Sequence, residues 1–402
     1  MKCLANESLT LLAFFISSLL IVFFSRTFVL FLVITFIDYI LFWCIIFYMT
    51  KKFVLACFIF AILIFILLVI FLSVFEYRPS TIESVSVENC GKSKLLTHTE
   101  YSALSWNIGY GSLGKNDDFF MSGGKNVSLS KKSLQNNLDG IYKRLGEFNA
   151  DINLIQEVDF KSSRTWKINI VEKISDVLAQ PFVFASNYKC LFVPYPIPPI
   201  GNVNSGLATF SDFETAEAFR YSLPVPFKWP VRLANLKRCL LVSRIPVYDG
   251  ENISKKELVI VNLHLEAFDN GTAKREQTKV LVDFMNSEFA KGNYVIAGGD
   301  FNQRFPNSKV YPTTEQDDWV PGKLESSDLD SGWAFYFDDS LPTCRSTCAP
   351  YVGERAEKKD WQYYVIDGFI ASPNVQVNCV KVLDEDFEFS DHNPILFKFV
   401  LK

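Results

Sequence analysis

Apolar and polar positions divide the chain near residue 75. Before that point three almost unbroken apolar runs follow one another at 9–24, 28–49 and 53–75, and only Lys2, Glu7, Arg26, Asp38, Lys51 and Lys52 carry formal charge. A membrane span needs about 20 apolar residues, which the second and third runs supply and the first approaches. No small-residue cleavage site follows the first run, only Ser25, Arg26 and Thr27, so it reads as a span rather than a signal-peptide core. Residues 1–75 are therefore expected to form a membrane anchor of about three transmembrane helices. Alternating spans put Lys2, Lys51 and Lys52 on one side and Arg26 and Arg78 on the other, and the basic bias turns the rest of the chain to the extracytoplasmic side. Asp38, inside the second run, is expected as a protonated carboxyl bonded to a neighbouring span.

Beyond a polar stretch at 76–100, read as a linker, the periodicity changes. Helical spacing marks 133–148, 165–178 and 272–290, the last beginning after Asn270–Gly271. Short β-rich runs fall at 102–108, 151–156, 206–210, 239–247, 257–265, 294–297, 363–371, 375–382 and 394–400. Many strands with few, widely spaced helices predict two packed sheets with helices outside, an α/β domain over 101–402. Three irregular stretches, 109–132, 193–205 and 301–341, exceed the usual loop length and are expected to shape a site.

Composition narrows the class. The chain has 402 residues, 49% of them hydrophobic, and 15 of its 38 Phe lie within the first 75 positions. Removing residues 1–78 from the count leaves 35 Lys and Arg against 41 Asp and Glu, a soluble part near −6. That excludes a disordered tail or a small disulfide scaffold, and it disfavours nucleic-acid binding through a basic surface. Outside the anchor stand Cys90, Cys190, Cys239, Cys344, Cys348 and Cys379. Cys344 and Cys348 are near enough in sequence to pair in an oxidising compartment. No histidine lies near them to complete a zinc site.

Polar residues suited to phosphate chemistry gather at the ends of apolar runs: Asn107 in SWNIGYG, Glu157 in LIQEVD, His264 in VNLHLEA, Asp300 and Asn302 in AGGDFN, Asp367 in VIDGF, and Asp391 and His392 in SDHNP. Each alone is an ordinary solvated strand end. Two of only three histidines fall in these segments, however; the third, His98, lies in the linker and is expected to be inert. Glu157, Asp391 and the amide oxygen of Asn107 are hard donors of the kind Mg²⁺ takes. A metal there would polarise a phosphoryl oxygen and offset charge on the leaving oxygen. Asp367 is the natural partner to hold His392 as a base. Asp300 and Asn302 are placed to orient a water and hold phosphate, and His264 to donate a hydrogen bond to it.

Taken in order, SWNI, QEVD, NSGLATFS, VNLHLEA, GGDFN, VIDGF and SDHNP resemble the motifs of the endonuclease/exonuclease/phosphatase (DNase I-like) superfamily over residues 101–402. The resemblance implies a four-layered α/β sandwich and a Mg²⁺- or Mn²⁺-dependent phosphoester hydrolase. It implies metal positions at Asn107, Glu157 and Asp391, a pair at the reacting phosphate in Asp300 and Asn302, an Asp367–His392 dyad, a catalytic His264, and Asn204 near the phosphate. One departure is Gly368, where many members carry an aromatic residue.

Three functions follow as expectations. The favoured one is a membrane-embedded hydrolase of a lipid headgroup or small phosphorylated molecule, with Phe119, Phe120, Tyr195, Ile197 and Trp229 available to lipid. The second is a surface nuclease cleaving DNA or RNA, for which Arg232, Lys237 and Arg238 are candidate contacts. The third is a non-catalytic binding protein on the same fold.

Overall fold

The computed structural model describes residues 2–88, 93–268, 271–312, 319–353 and 361–402; Cys90 and Asn270 lie outside them. The chain divides into two units, Met1–Phe71 and Leu72–Lys402.

Lys2–Val74 is one continuous helix, α1, which corrects the expected cluster of about three transmembrane helices. Neither 25–27 nor 50–52 contains Gly or Pro, so nothing in the backbone interrupts the helical hydrogen bonds. The polar residues at 50–52 find partners one turn back: Thr50 Oγ1 donates to the Phe47 carbonyl at 2.9 Å, and the Lys51 and Lys52 ammonium groups lie 4.4 Å from the ring centres of Phe47 and Tyr48. Without turns there are no short loops for a charge bias to act on, and the multi-pass orientation loses its basis. Thr27–Val74 is the one stretch among the described residues long and apolar enough to cross a membrane.

In the second unit, β1 (Glu100–Asn107), β2 (Ile152–Asp159), β3 (Phe182–Val193) and β4 (Gly201–Ser211) join β10 (Val375–Val382) and β11 (Ile395–Leu401) in one sheet, ordered β10-β11-β1-β2-β4-β3. The other sheet is ordered β5 (Glu217–Ser222), β6 (Cys239–Asp249), β7 (Asn252–His264), β8 (Tyr294–Asp300) and β9 (Asp367–Ala371). Between the sheets lie Ala103, Ile152 and Leu154 from one and Ile260, Ile296 and Phe369 from the other. Helices α2 (Lys131–Phe148) and α3 (Ile170–Leu178) cover the first sheet and α4 (Thr272–Ala290) the second. In α2 the buried Leu134, Leu138, Ile141 and Leu145 recur at helical spacing, and Ser130 Oγ accepts from Ser133 N to cap it. The result is the α/β/β/α layering expected from the strand and helix pattern.

Several boundaries moved for tertiary reasons. The helix expected from 165 starts only at Ile170, because Trp166 and Lys167 have φ of 53° and 61°. Thr165 Oγ1 donates to Asp159 and the Trp166 indole to the Leu129 carbonyl, which holds this stretch out of the helix. The stretch read as a linker contributes three short strands: Ile82–Ser84 pairs with β5, Val87–Glu88 with β3 and Leu95–Leu96 with β6. Cys344 and Cys348 are free thiols, so the pairing considered for them does not form.

Candidate active site

β7, β8 and β9 lie side by side with His264 opposite Asp300 and Asp300 opposite Asp367, so three polar residues on apolar strands end in one row. This alignment depends on glycine. A Cβ at Gly299, whose φ is 153°, would stand 1.9 Å from the Leu263 carbonyl oxygen. At Gly368 a Cβ would meet the Phe305 ring at 2.7 Å and the Tyr336 carbonyl at 2.8 Å. Phe305, stacked on Phe337, occupies the volume beside Gly368.

From the other sheet, β1 delivers Asn107 and β2 delivers Glu157. A register shift between Ile155 and Val158 gives Glu157 a φ of 51°. This bulge turns Gln156 into the core, where its amide donates to Asn262 at 2.9 Å, and re-aims Glu157 at the strand end. Asn107 Nδ2 then donates to Asp300 Oδ2 at 3.1 Å and to Glu157 Oε1 at 3.3 Å, bridging the two sheets.

His392 enters from the turn before β11. Its Nδ1 is 2.9 Å from Asp367 Oδ2, leaving Nε2 facing Asn107 Nδ2 at 3.5 Å and Asp300 Oδ2 at 3.8 Å. The turn is held by its backbone: the Trp106 indole donates to the His392 carbonyl at 2.8 Å, and Ser390 Oγ donates to the Asn107 carbonyl at 2.7 Å. His264 Nε2 lies 3.4 Å from Asp300 Oδ2.

The electrostatics separate the two rings. Burial disfavours a charged His392, but the adjacent Asp367 carboxylate outweighs it and raises the imidazole well above its ordinary value. His264 is pushed well below by burial, with Arg238 and His392 adding repulsion, so it is neutral. Burial also raises Asp300, with the Asp367 charge adding to it and His392 opposing. Asp391 is pushed up to about 6 by burial, His392 working against the shift and Glu157 with it.

All eight residues singled out from the sequence thus converge, though not all as anticipated. Asn107 turns its nitrogen, not its oxygen, to the carboxylates, while the oxygen accepts from Gly109 N at 3.0 Å. Asn302 commits its amide nitrogen to the Leu265 carbonyl at 2.9 Å, and its backbone N–H supports Asp300 Oδ1 at 2.8 Å. Asn204 Oδ1 is occupied by the Ser186 hydroxyl at 2.6 Å. The cationic run is likewise spoken for: Arg232 and Lys237 reach Glu76, and Arg238 donates to the His264 carbonyl at 3.1 Å. Supporting residues escaped the sequence reading. Arg164 is paired to Asp159 at 2.9 Å with its guanidinium 3.5 Å from the Tyr110 ring centre, and the Cys344 thiol lies within 4.8 Å of ligating atoms of Asp391 and His392. Their only sequence signal was proximity to the motifs.

The site's donors fit a divalent cation. Glu157 and Asp391 are hard oxygen donors, and burial raises the Asp391 carboxyl with the Glu157 charge adding to that rise. A dication supplies the missing positive charge.

A family model described as "Endonuclease/Exonuclease/phosphatase family" matches residues 104–392. No curated protein matches the chain in sequence. Similar solved structures include an endonuclease/exonuclease/phosphatase from Beutenbergia cavernae, 15% identical over 75% of this chain and 72% of that one, with a TM-score of 0.50. Another is the endonuclease/exonuclease/phosphatase from Bacteroides vulgatus, at 14% identity over 76% and 100% with a TM-score of 0.48. TDP2 from C. elegans is 16% identical over 76% of each chain, with a TM-score of 0.44.

Proposed function

The chain belongs to the endonuclease/exonuclease/phosphatase family, whose members are typically phosphoester-hydrolysing enzymes, and on that premise we propose that it is a membrane-anchored, Mg²⁺-dependent phosphoester hydrolase acting on a lipid headgroup or small phosphorylated molecule at the bilayer. The observation that carries the reading is the cluster drawn from both sheets, in which Asp367 bonds His392 and Asn107 bonds Asp300, with His264 Nε2 3.4 Å from the same Asp300 oxygen.

In this reading Glu157, Asp391 and Asn107 would hold the metal, which would supply charge neutralisation at the phosphoryl group. The chain's own residues handle protons and orientation. Asp367 fixes Nδ1 of His392, so Nε2 is the atom that exchanges a proton with a reacting oxygen. Asp300, beside His392 Nε2 at 3.8 Å, orients the attacking water, whose proton passes to Nε2 and from there to the leaving oxygen. Asn302 orients that water through its amide oxygen, since its nitrogen is committed to Leu265. Neutral His264 donates one N–H to a non-bridging oxygen.

Anchorage supports the lipid preference. Confining the site to the bilayer surface raises the effective concentration of headgroups, whereas Arg232, Lys237 and Arg238 are engaged within the protein. Full-length protein in detergent micelles, with Mg²⁺ or with EDTA, is to be offered sphingomyelin, phosphoinositides, plasmid DNA and an aryl phosphodiester. Mg²⁺-dependent lipid turnover is expected. Plasmid cleavage without lipid turnover overturns the substrate assignment.

The dyad also sets a pH dependence. Because Asp367 raises His392, the ring stays protonated to higher pH and loses its proton on an acid limb above the ordinary histidine range. Asp367→Asn removes that charge, so the limb in kcat/KM should move to lower pH, with kcat falling roughly 10²-fold as the ring loses its fixed orientation. An unmoved limb would separate the profile from this pair.

A further inference from the structure

The strand directions put two apolar loops at the end of the domain that carries the candidate site. β2 runs toward Glu157; β4 is antiparallel to it and β3 antiparallel to β4, so the tip at 194–200 projects beyond that end. In the other sheet β7 finishes at His264, β6 starts beside it and β5 ends beside β6, so the loop at 223–238 overhangs the same end.

Both loops are apolar and uncovered. Tyr195 is 68% and Ile197 94% exposed on the first, and Trp229 is 58% and Val231 61% exposed on the second. Met121 is also exposed, beside Phe120, whose ring packs edge-on against Tyr195 at 6.0 Å. Exposed Lys228 precedes Trp229, a pairing of aromatic and basic side chains that suits a headgroup layer.

The chain's exit from α1 is fastened at this same end. Glu76 stands two residues beyond the last residue of the helix, with a side chain 2% exposed. It accepts from Arg78 at 2.9 Å and pairs with Arg232 at 3.2 Å and Lys237 at 3.5 Å. The Trp229 indole donates to Ser73 Oγ at 3.3 Å, and Ser222 Oγ donates to the Ser80 carbonyl at 2.7 Å. Two residues reach about 7 Å at most. The loop bearing Trp229 therefore lies beside the residues at which the chain leaves the helix.

We infer that the rim formed by Tyr195, Ile197, Trp229 and Val231 is a bilayer-docking surface that turns the candidate active site toward lipid headgroups. It rests on the anchorage proposed above and adds to it a defined face. Substrate then reaches the site from the plane of the membrane, while soluble phosphodiesters enter without using the rim.

The test uses the full chain in vesicles of phosphatidylcholine brominated in the upper acyl chain. Seven tryptophans contribute emission, so wild type is compared with Trp229→Phe. Bromolipid quenching should fall in the variant, because the indole at 229 is among those reaching the acyl boundary. Ile197→Ser is the second variant; its side chain is so exposed that the change cannot act by unfolding. It should lower lipid-headgroup turnover about tenfold and leave aryl phosphodiester turnover unchanged. Identical quenching in both proteins, or equal loss on soluble and lipid substrates, overturns the inference. Quenching at 229 in a protein that hydrolyses no lipid would retire the substrate proposal and leave the docking surface standing.

Discussion

His392→Ala is expected to lower aryl phosphodiester turnover by roughly 10²–10⁴-fold, the range spanned by a positioned proton-transfer group. The fold should survive, because the turn carrying His392 is held by contacts the ring does not make: Trp106 to its carbonyl, Ser390 to Asn107, and Asn393 N to the Thr343 carbonyl at 2.8 Å. Stability should still fall by about 1–3 kcal/mol, since removing the imidazole leaves the buried Asp367 carboxylate without its 2.9 Å partner. Adding Asp367→Asn to that variant should recover part of the stability and none of the activity. Chemical denaturation with a parallel rate assay measures both. If the single variant fails to fold, or if the double variant regains turnover, the ring is structural and the proton assignment fails.

Glu157→Gln should be nearly as severe for a different reason. The substitution keeps size and the left-handed backbone at 157 but removes one of the two carboxylates, Glu157 and Asp391, that would hold the cation. Saturating Mg²⁺ at about 100 times its dissociation constant should stabilise the wild-type protein by about 2.7 kcal/mol, read as a rise in Tm that EDTA abolishes. In Glu157→Gln that rise should vanish together with turnover, while the EDTA-treated variant melts close to the EDTA-treated wild type. A variant that keeps the Mg²⁺-induced rise would place the cation elsewhere, for which the Cys344–Asp391–His392 group is the next candidate.

Much of the domain was legible before any coordinates, for physical reasons that differ by element. α2 could be read because Leu134, Leu138, Ile141 and Leu145 recur at helical spacing behind the Ser130 cap, and α4 because a long stretch of good helix formers follows Gly271. The central strands could be read because sheets buried on both faces leave long apolar runs such as LVIVNL in β7. β3 escaped because its buried positions include the polar Asn187 and alternate with outward Ser186 and Tyr188 before a register shift, an ambiguous pattern. The site residues could be named because each is a polar interruption at the end of an apolar strand. The linker misled because its strands are two or three residues long and draw stability from β3, β5 and β6.

By itself, then, the order of residues determined the kinds of element, the layering they force and the side chains available for phosphate chemistry, since these depend on local periodicity and on which polar groups terminate buried strands. Tertiary structure alone decided which atoms those side chains present. The amide of Asn107 faces inward by its nitrogen, Asn302 is spent on Leu265, and the basic run at 232–238 closes on Glu76 and His264. Such choices are made by partners 26 to 193 positions away in sequence. No local pattern encodes them, because a hydrogen bond depends on distance in space and is indifferent to separation along the chain.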